Sequence, residues 1–111
     1  MTIDYTKQNE IIIITIVGDI DASSAIELDN KLAMVGNEKV SGLLVDCEGL
    51  EYISSAGLGV FMSYIKDFKD LDIKMVLFGL DRKVKKVFEL IGLHNLLNIQ
   101  ETRELALKEI V

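Results

Sequence analysis

Apolar residues form two kinds of run along the chain, short continuous ones and longer ones with helical spacing. Continuous runs at residues 10–17, 40–47 and 73–80 are rich in Ile, Val, Leu and Phe, which predicts buried strands. Weaker alternation over residues 1–6 predicts one more strand, which would form a hairpin with the first run around "KQN". A short strand near residues 96–99 completes the predicted set.

Between these runs, apolar residues recur every three or four positions, as they do on the buried face of a helix. The first helix is expected after Ser24, which stands three residues before Glu27 in the form of a capping box. The second begins near Ala56, the third follows a capping Asp81, and a final helix covers residues 102–110. The predicted buried positions of the first three are Ala25, Leu28, Leu32, Val35, Leu58, Phe61, Ile65, Phe68, Val84, Val87, Phe88 and Ile91.

The order of the predicted elements is strand, strand, helix, strand, helix, strand, helix, strand, helix. Such alternation predicts a single α/β domain spanning residues 1–111, with a mixed, mostly parallel sheet of four to five strands. About four helices pack on it, and the opening hairpin adds an antiparallel edge. Functional sites of these sheets lie beyond the carboxyl ends of the strands.

Net charge and composition limit the classes of function that the chain can have. A net charge of -6 and a pI near 4.7 argue against direct binding of nucleic acid, which needs a concentrated positive surface, and favour a protein partner. The single Cys47 ends an apolar run and is expected to be a buried thiol in a reducing compartment, so we expect a cytoplasmic protein. No apolar run is long enough for membrane insertion.

The motifs of the sequence give little support for enzymatic activity. The one histidine, His94, and Cys47 lie on different segments without metal-ligand spacing, and no metal site or cofactor is expected. The sequence lacks the Gly-x-Ser-x-Gly elbow of serine hydrolases and the phosphate-binding loop of NTPases. We therefore expect a protein without catalytic residues.

The stretch "EYISSAGLGVF" (51–61) places small residues between a predicted strand and a predicted helix. Backbone N–H groups at a helix start have no intrahelical partner, so Ser54 or Ser55 can cap the helix, and the glycines can ease the turn or allow close contacts. Alternatively, one of these serines accepts a phosphate, which carboxylates of Asp19 and Asp21 would then repel. Both interpretations are compatible with the residues alone.

The segment "VDCEGLEYISSAGLGVFMSYIK" resembles the signature of STAS domains, in particular the bacterial anti-sigma-factor antagonists. "VGDIDASSAIEL" and "VFELIGLHNLLNIQET" resemble two further passages of that family, so the resemblance runs over nearly the whole chain. It implies the STAS fold and binding to an anti-sigma factor, often a serine kinase, by partner switching that serine phosphorylation reverses. The partner-binding residues that it implies are Asp19, Asp21, Ser54, Ser55, Ala56, Gly57 and Leu58.

The chain departs from the family pattern at the phosphate acceptor. Aligned on the two glycines, the acceptor position holds Ala56, which has no hydroxyl, and the preceding Asp is replaced by Ser54. Ser55 is therefore the first candidate for phosphorylation and Ser54 the second. The alternatives are a non-phosphorylated scaffold subunit and a module that binds a nucleotide or flavin phosphate at the helix start.

A basic run in the third predicted helix stands out in this acidic chain. It contains Arg82, Lys83, Lys85 and Lys86, opposite the apolar positions of that helix. Such a run is either a solvated helix face or a second contact surface for an acidic partner. The identity of the partner and the oligomeric state do not follow from the sequence.

Overall fold

Five strands and four helices follow one another in the predicted order. The structure is a computed structural model, and it describes residues 1–110. The strands are β1 (Thr2–Gln8), β2 (Ile11–Ile20), β3 (Gly42–Ile53), β4 (Lys74–Phe78) and β5 (Asn98–Gln100). The helices are α1 (Ala22–Gly36), α2 (Ser55–Asp70), α3 (Arg82–Leu90) and α4 (Arg103–Ile110), and a short 3-10 turn, Leu93–Asn95, precedes β5.

The strands form one sheet in the order β1-β2-β3-β4-β5. β1 pairs antiparallel with β2 through a tight turn at Asn9, whose φ of 57° is in the left-handed region that Asn tolerates. The pairs β2–β3, β3–β4 and β4–β5 are parallel. The predicted α/β fold, with a mostly parallel sheet, an antiparallel edge and four helices, is confirmed.

Helices cover the sheet unequally. One face packs against α1, α2 and α3 around fully buried residues such as Ile12, Leu28 and Phe61, and forms the main core. On the other face, Ala106 and Ile110 of α4 pack on a smaller cluster that contains Leu44. The alternation of β2 explains the division, because alternate residues of a strand point to opposite faces.

β3 is longer than predicted. It continues past Cys47 to Ile53, although β4 pairs with it only as far as Asp46. Its second half pairs with β2 alone, across two register shifts in β2. The polar residues Glu48 and Glu51 are tolerated there because their side chains are exposed.

Two further details of the prediction are wrong by a few residues. β5 is Asn98–Gln100 rather than 96–99, because Leu96 and Leu97 close the 3-10 turn through N–H bonds to the Leu93 carbonyl. α3 ends before Ile91, and Gly92 follows with a φ of 76°, a conformation that glycine adopts without strain.

The predicted burial of Cys47 is confirmed, since its side chain is fully inaccessible, and burial raises the pKa of the thiol. Among the helices of residues 1–110, none has the length and apolar character that a membrane span needs.

Candidate functional site

The ends of β2 and β3 bring the starts of two helices together. In the register of these parallel strands, Asp19 lies opposite Tyr52 and Ile20 opposite Ile53. The Ser54 N–H then donates to the Ile20 carbonyl at 2.8 Å. The first residues of α1 and α2 therefore emerge side by side at the carboxyl edge of the sheet, where the predicted Asp and Ser residues meet.

Ser54 is the N-cap of α2. Its backbone is extended, with φ -82° and ψ 169°, and its Oγ accepts the Gly57 N–H at 3.2 Å. The side chain is half-buried. An N-cap of this kind contributes roughly 1 kcal/mol to stability. The capping interpretation of the serine pair therefore holds for Ser54, whose oxygen is already engaged.

Ser55 and Ala56 are the first two residues of α2, and both are exposed. Within residues 1–110 the Ser55 hydroxyl makes no hydrogen bond, which leaves it open to solvent. The exposed methyl group of Ala56 occupies the position where the family pattern has its acceptor. The exposed hydroxyl at this turn is therefore that of Ser55.

Gly57 and Leu58 are buried below this turn. A Cβ on Gly57 would lie 2.7 Å from Cγ2 of Ile20 and 2.8 Å from Cγ1 of Ile53, so only glycine lets α2 start this close to the strand ends. The predicted partner contacts by Gly57 and Leu58 find no support in this burial. The two residues instead hold Ser55 and Ala56 in place.

Gly59 behaves differently from Gly57. It is exposed, and no atom lies within 4 Å of the position that its Cβ would take. A close packing contact, one of the roles that the sequence suggests for this glycine, is therefore absent within the described part of the chain.

Asp21 caps α1, which corrects the predicted capping box. Its carboxylate accepts the Ser24 N–H at 2.9 Å, and the Ser24 hydroxyl accepts the Asp21 N–H at 2.8 Å, so the box is Asp21–Ser24 rather than Ser24–Glu27. The Ser24 N–H, followed by the hydroxyls of Ser23 and Ser24, lowers the pKa of Asp21 to about 2. Asp21 is therefore firmly anionic.

A groove beside these caps has a volume of about 570 Å³, and its lining includes Met1 and the carboxylates of Asp19, Asp21, Glu27 and Glu51. No lysine or arginine lines it. Four carboxylates repel a phosphate, so the groove disfavours the nucleotide or flavin interpretation. The same carboxylates would repel a phosphate added to the neighbouring turn.

Sequence reasoning missed Glu51 and Tyr52 as members of this edge. Tyr52 is 52% exposed beside Asp19, in the part of β3 that the prediction left out. The apolar residues Leu50 and Ile53, both buried, flank Glu51 and Tyr52 and are the signal that could have revealed it.

Among residues 1–110, no three His, Cys, Asp or Glu side chains are grouped as metal ligands. His94 lies in the exposed 3-10 turn before β5. That turn is at the amino end of β5, the edge of the sheet opposite Ser55, so His94 is not placed to act as a base for either serine.

Comparison with known proteins identifies the family. The STAS domain family matches residues 2–106, and the chain belongs to that family. It is 25% identical over 94% of its length to the anti-sigma-B factor antagonist of Staphylococcus aureus, covering 96% of that protein. It is 31% identical over 78% of its length to the anti-sigma-B factor antagonist of Listeria monocytogenes, covering 76% of that protein.

Solved structures agree with the fold. An anti-sigma factor antagonist from Mycobacterium paratuberculosis superposes with a TM-score of 0.86 at 17% identity, covering 98% of this chain and 92% of that one. The anti-sigma factor antagonist SpoIIAA in its unphosphorylated form gives a TM-score of 0.76 at 17% identity, covering 98% and 97%. The fold that the resemblance implies is thereby confirmed.

Proposed function

We propose that this chain is an anti-sigma factor antagonist that binds an anti-sigma factor through Asp19, Asp21, Ser54, Ser55 and Ala56, here called the switch surface. The observation that carries the proposal is the exposed Ser55–Ala56 turn at the start of α2, next to buried Gly57, where the helix lies close against the strand ends. Family membership over nearly the whole chain supports it, as do full-length relatives named as antagonists.

The switch surface supports binding better than catalysis. Ser55 has no histidine beside it to act as a base, since His94 lies at the opposite edge of the sheet. The antagonist therefore acts by occupying its partner, without a reaction of its own. Because sigma factors direct transcription, we expect a protein with this function to act in the cytoplasm.

Ser55 is the proposed regulatory residue. A phosphate on it would carry a charge of about -2 at the start of α2, where the helix dipole tolerates it in the free protein. In a complex the same phosphate would lose its hydration next to Asp19, Asp21 and Glu51, which cannot pair with it. Phosphorylation would therefore release the partner without unfolding the antagonist.

The test is the affinity for a purified anti-sigma factor of the serine-kinase type from the same organism, measured by isothermal titration calorimetry. Ser55→Asp is expected to weaken binding at least tenfold, or about 1.4 kcal/mol. Ser63→Asp is the matched control, because Ser63 is exposed on α2 but two turns away from the switch surface. It should leave the affinity unchanged.

Two results would contradict parts of the proposal. Absence of any complex with the wild-type chain would refute the antagonist function. Equal affinities for the wild type and Ser55→Asp would show that Ser55 is not the regulatory residue. The chain would then bind its partner constitutively.

A further inference from the structure

The outer side of α3 combines charge and exposed apolar surface in a way that the fold does not require. Arg82, Lys86, Leu90 and Lys83 fall within about 100° of the helix circumference, opposite buried Val84 and Phe88, and the exposed Glu89 borders them beside Arg82. We call these four residues the α3 face. Leu90 is 75% exposed, and Ile91, which follows it, is 49% exposed.

The positive charge stands at the wrong end of the helix for stability. Arg82 and Lys83 are in the first turn of α3, where the helix dipole is positive, and the acidic side chain at this end of the helix is that of the N-cap Asp81. The last turn, where cations are favourable, has none. A helix shaped by its own stability would have the opposite arrangement, so the charge distribution indicates an external role.

The cations of α3 also find no partner within residues 1–110. Each of the three ion pairs in this part of the chain involves other residues: Lys7–Glu38, Lys66–Asp70 and Arg103–Asp46. Residues 81–90 carry four cations and two carboxylates, whereas the remaining 101 residues carry eight cations and sixteen carboxylates. The α3 face is thus a basic region on an otherwise strongly acidic molecule.

The α3 face begins at the same edge of the sheet as the switch surface. β4, which leads into α3, lies next to β3, which leads into α2, and both strands run in the same direction. One edge of the molecule therefore presents carboxylates around Asp19 and Asp21 and cations at Arg82 and Lys83. Two surfaces of opposite sign fix the orientation of a partner with the complementary charges.

We propose that the α3 face is a second docking surface, and that it binds an acidic segment of the anti-sigma factor that also presents an apolar side chain to Leu90. This inference rests on the proposed function. Carboxylates of the partner complement Arg82, Lys83 and Lys86, and burial of Leu90 adds an apolar contact. Nucleic acid is the less fitting ligand, because its extended phosphate backbone would meet the acidic remainder of the chain and gain nothing from Leu90.

Charge reversal tests the proposal. In the wild-type chain and in the triple variant Arg82→Glu, Lys83→Glu, Lys86→Glu, affinity for the purified anti-sigma factor is measured by calorimetry at about 50 mM and about 500 mM salt. We expect at least a tenfold loss at low salt that shrinks at high salt. The control triple Lys39→Glu, Lys74→Glu, Lys108→Glu carries the same net charge on exposed residues elsewhere, and it should change affinity less than about twofold.

The melting temperature of the α3 triple variant shows whether this variant is folded. Glutamates in the first turn of α3 suit the helix dipole, so the α3 triple variant should have an unchanged or higher melting temperature. A single Leu90→Ser change should weaken binding at both salt concentrations, because the apolar contact is not screened.

The outcomes separate this inference from the proposed function. If the wild-type chain forms no complex with the anti-sigma factor, the proposed function and the α3 inference are both refuted. If Ser55→Asp weakens the complex but the α3 triple variant matches its control, only the α3 inference is overturned. Binding of a DNA duplex that the α3 triple variant loses would also overturn it, because the cations would then serve nucleic acid.

Discussion

Gly57 and Gly59 lie two residues apart in α2 and should respond in opposite directions to the same Gly→Ala change. Alanine is favoured over glycine in a helix by about 0.5–1 kcal/mol. At Gly59 the new methyl group enters open space, so this gain should appear in full. At Gly57 it enters contact with Ile20 and Ile53, both buried in the core.

The steric penalty at Gly57 follows from those contacts. The Cβ would lie less than 3.0 Å from each of two buried side chains, which must shift together with the start of α2. Overpacking of this kind costs about 1–3 kcal/mol. Because the helix-propensity gain is similar at both sites, the difference in unfolding free energy between Gly59→Ala and Gly57→Ala measures the overpacking, about 1–3 kcal/mol.

Urea unfolding followed by circular dichroism gives both free energies, and thermal unfolding provides a check. For 111 residues the unfolding entropy is about 230 cal/mol/K, so Gly59→Ala should raise Tm by about 2–4 °C. Gly57→Ala should leave Tm unchanged or lower it. Equal stabilisation by both variants would refute the close approach of α2 to the ends of β2 and β3.

Two further predictions concern titration and accessibility. The pKa of Asp21 is lowered in the folded chain, so its stabilising effect is present above the ordinary value of 3.8 and is lost as pH falls towards 2. Between pH 4 and pH 2, urea unfolding should show a smaller loss of stability for Asp21→Asn than for the wild type; parallel curves would contradict the capping geometry. Cys47 is buried and its pKa is raised, so a thiol reagent should label it only as fast as the chain unfolds. Rapid labelling of the folded protein would show that β3 opens locally.

The fold was predictable where periodicity and burial coincide. The isoleucines of β2 and the apolar stripes of α1 to α3 identify their elements without any long-range information. The second half of β3 escaped because Glu48, Gly49 and Glu51 break the apolar run, and only pairing with β2 keeps that segment extended. Pairing partners of this kind are a tertiary effect that local pattern does not reveal.

The position of the site in the fold was predictable from the sequence, but the contacts between its residues were not. Cap chemistry locates Ser54 and Ser55 at the start of α2, as the structure shows. Which of two nearby glycines is sterically required depends on the side chains of Ile20 and Ile53, which meet Gly57 only after folding. The capping role of Asp21 was likewise hidden, because Ser24 and Glu27 fit the common motif equally well.

The affinity ratio between Ser55→Asp and Ser63→Asp for the anti-sigma factor tests the central claim most directly. Both variants add one negative charge to an exposed serine of α2, one at the start of the helix and the other two turns away from the switch surface. We predict at least tenfold weaker binding for Ser55→Asp than for Ser63→Asp. Equal affinities, or greater loss at Ser63, would show that a charge at Ser55 does not control the complex.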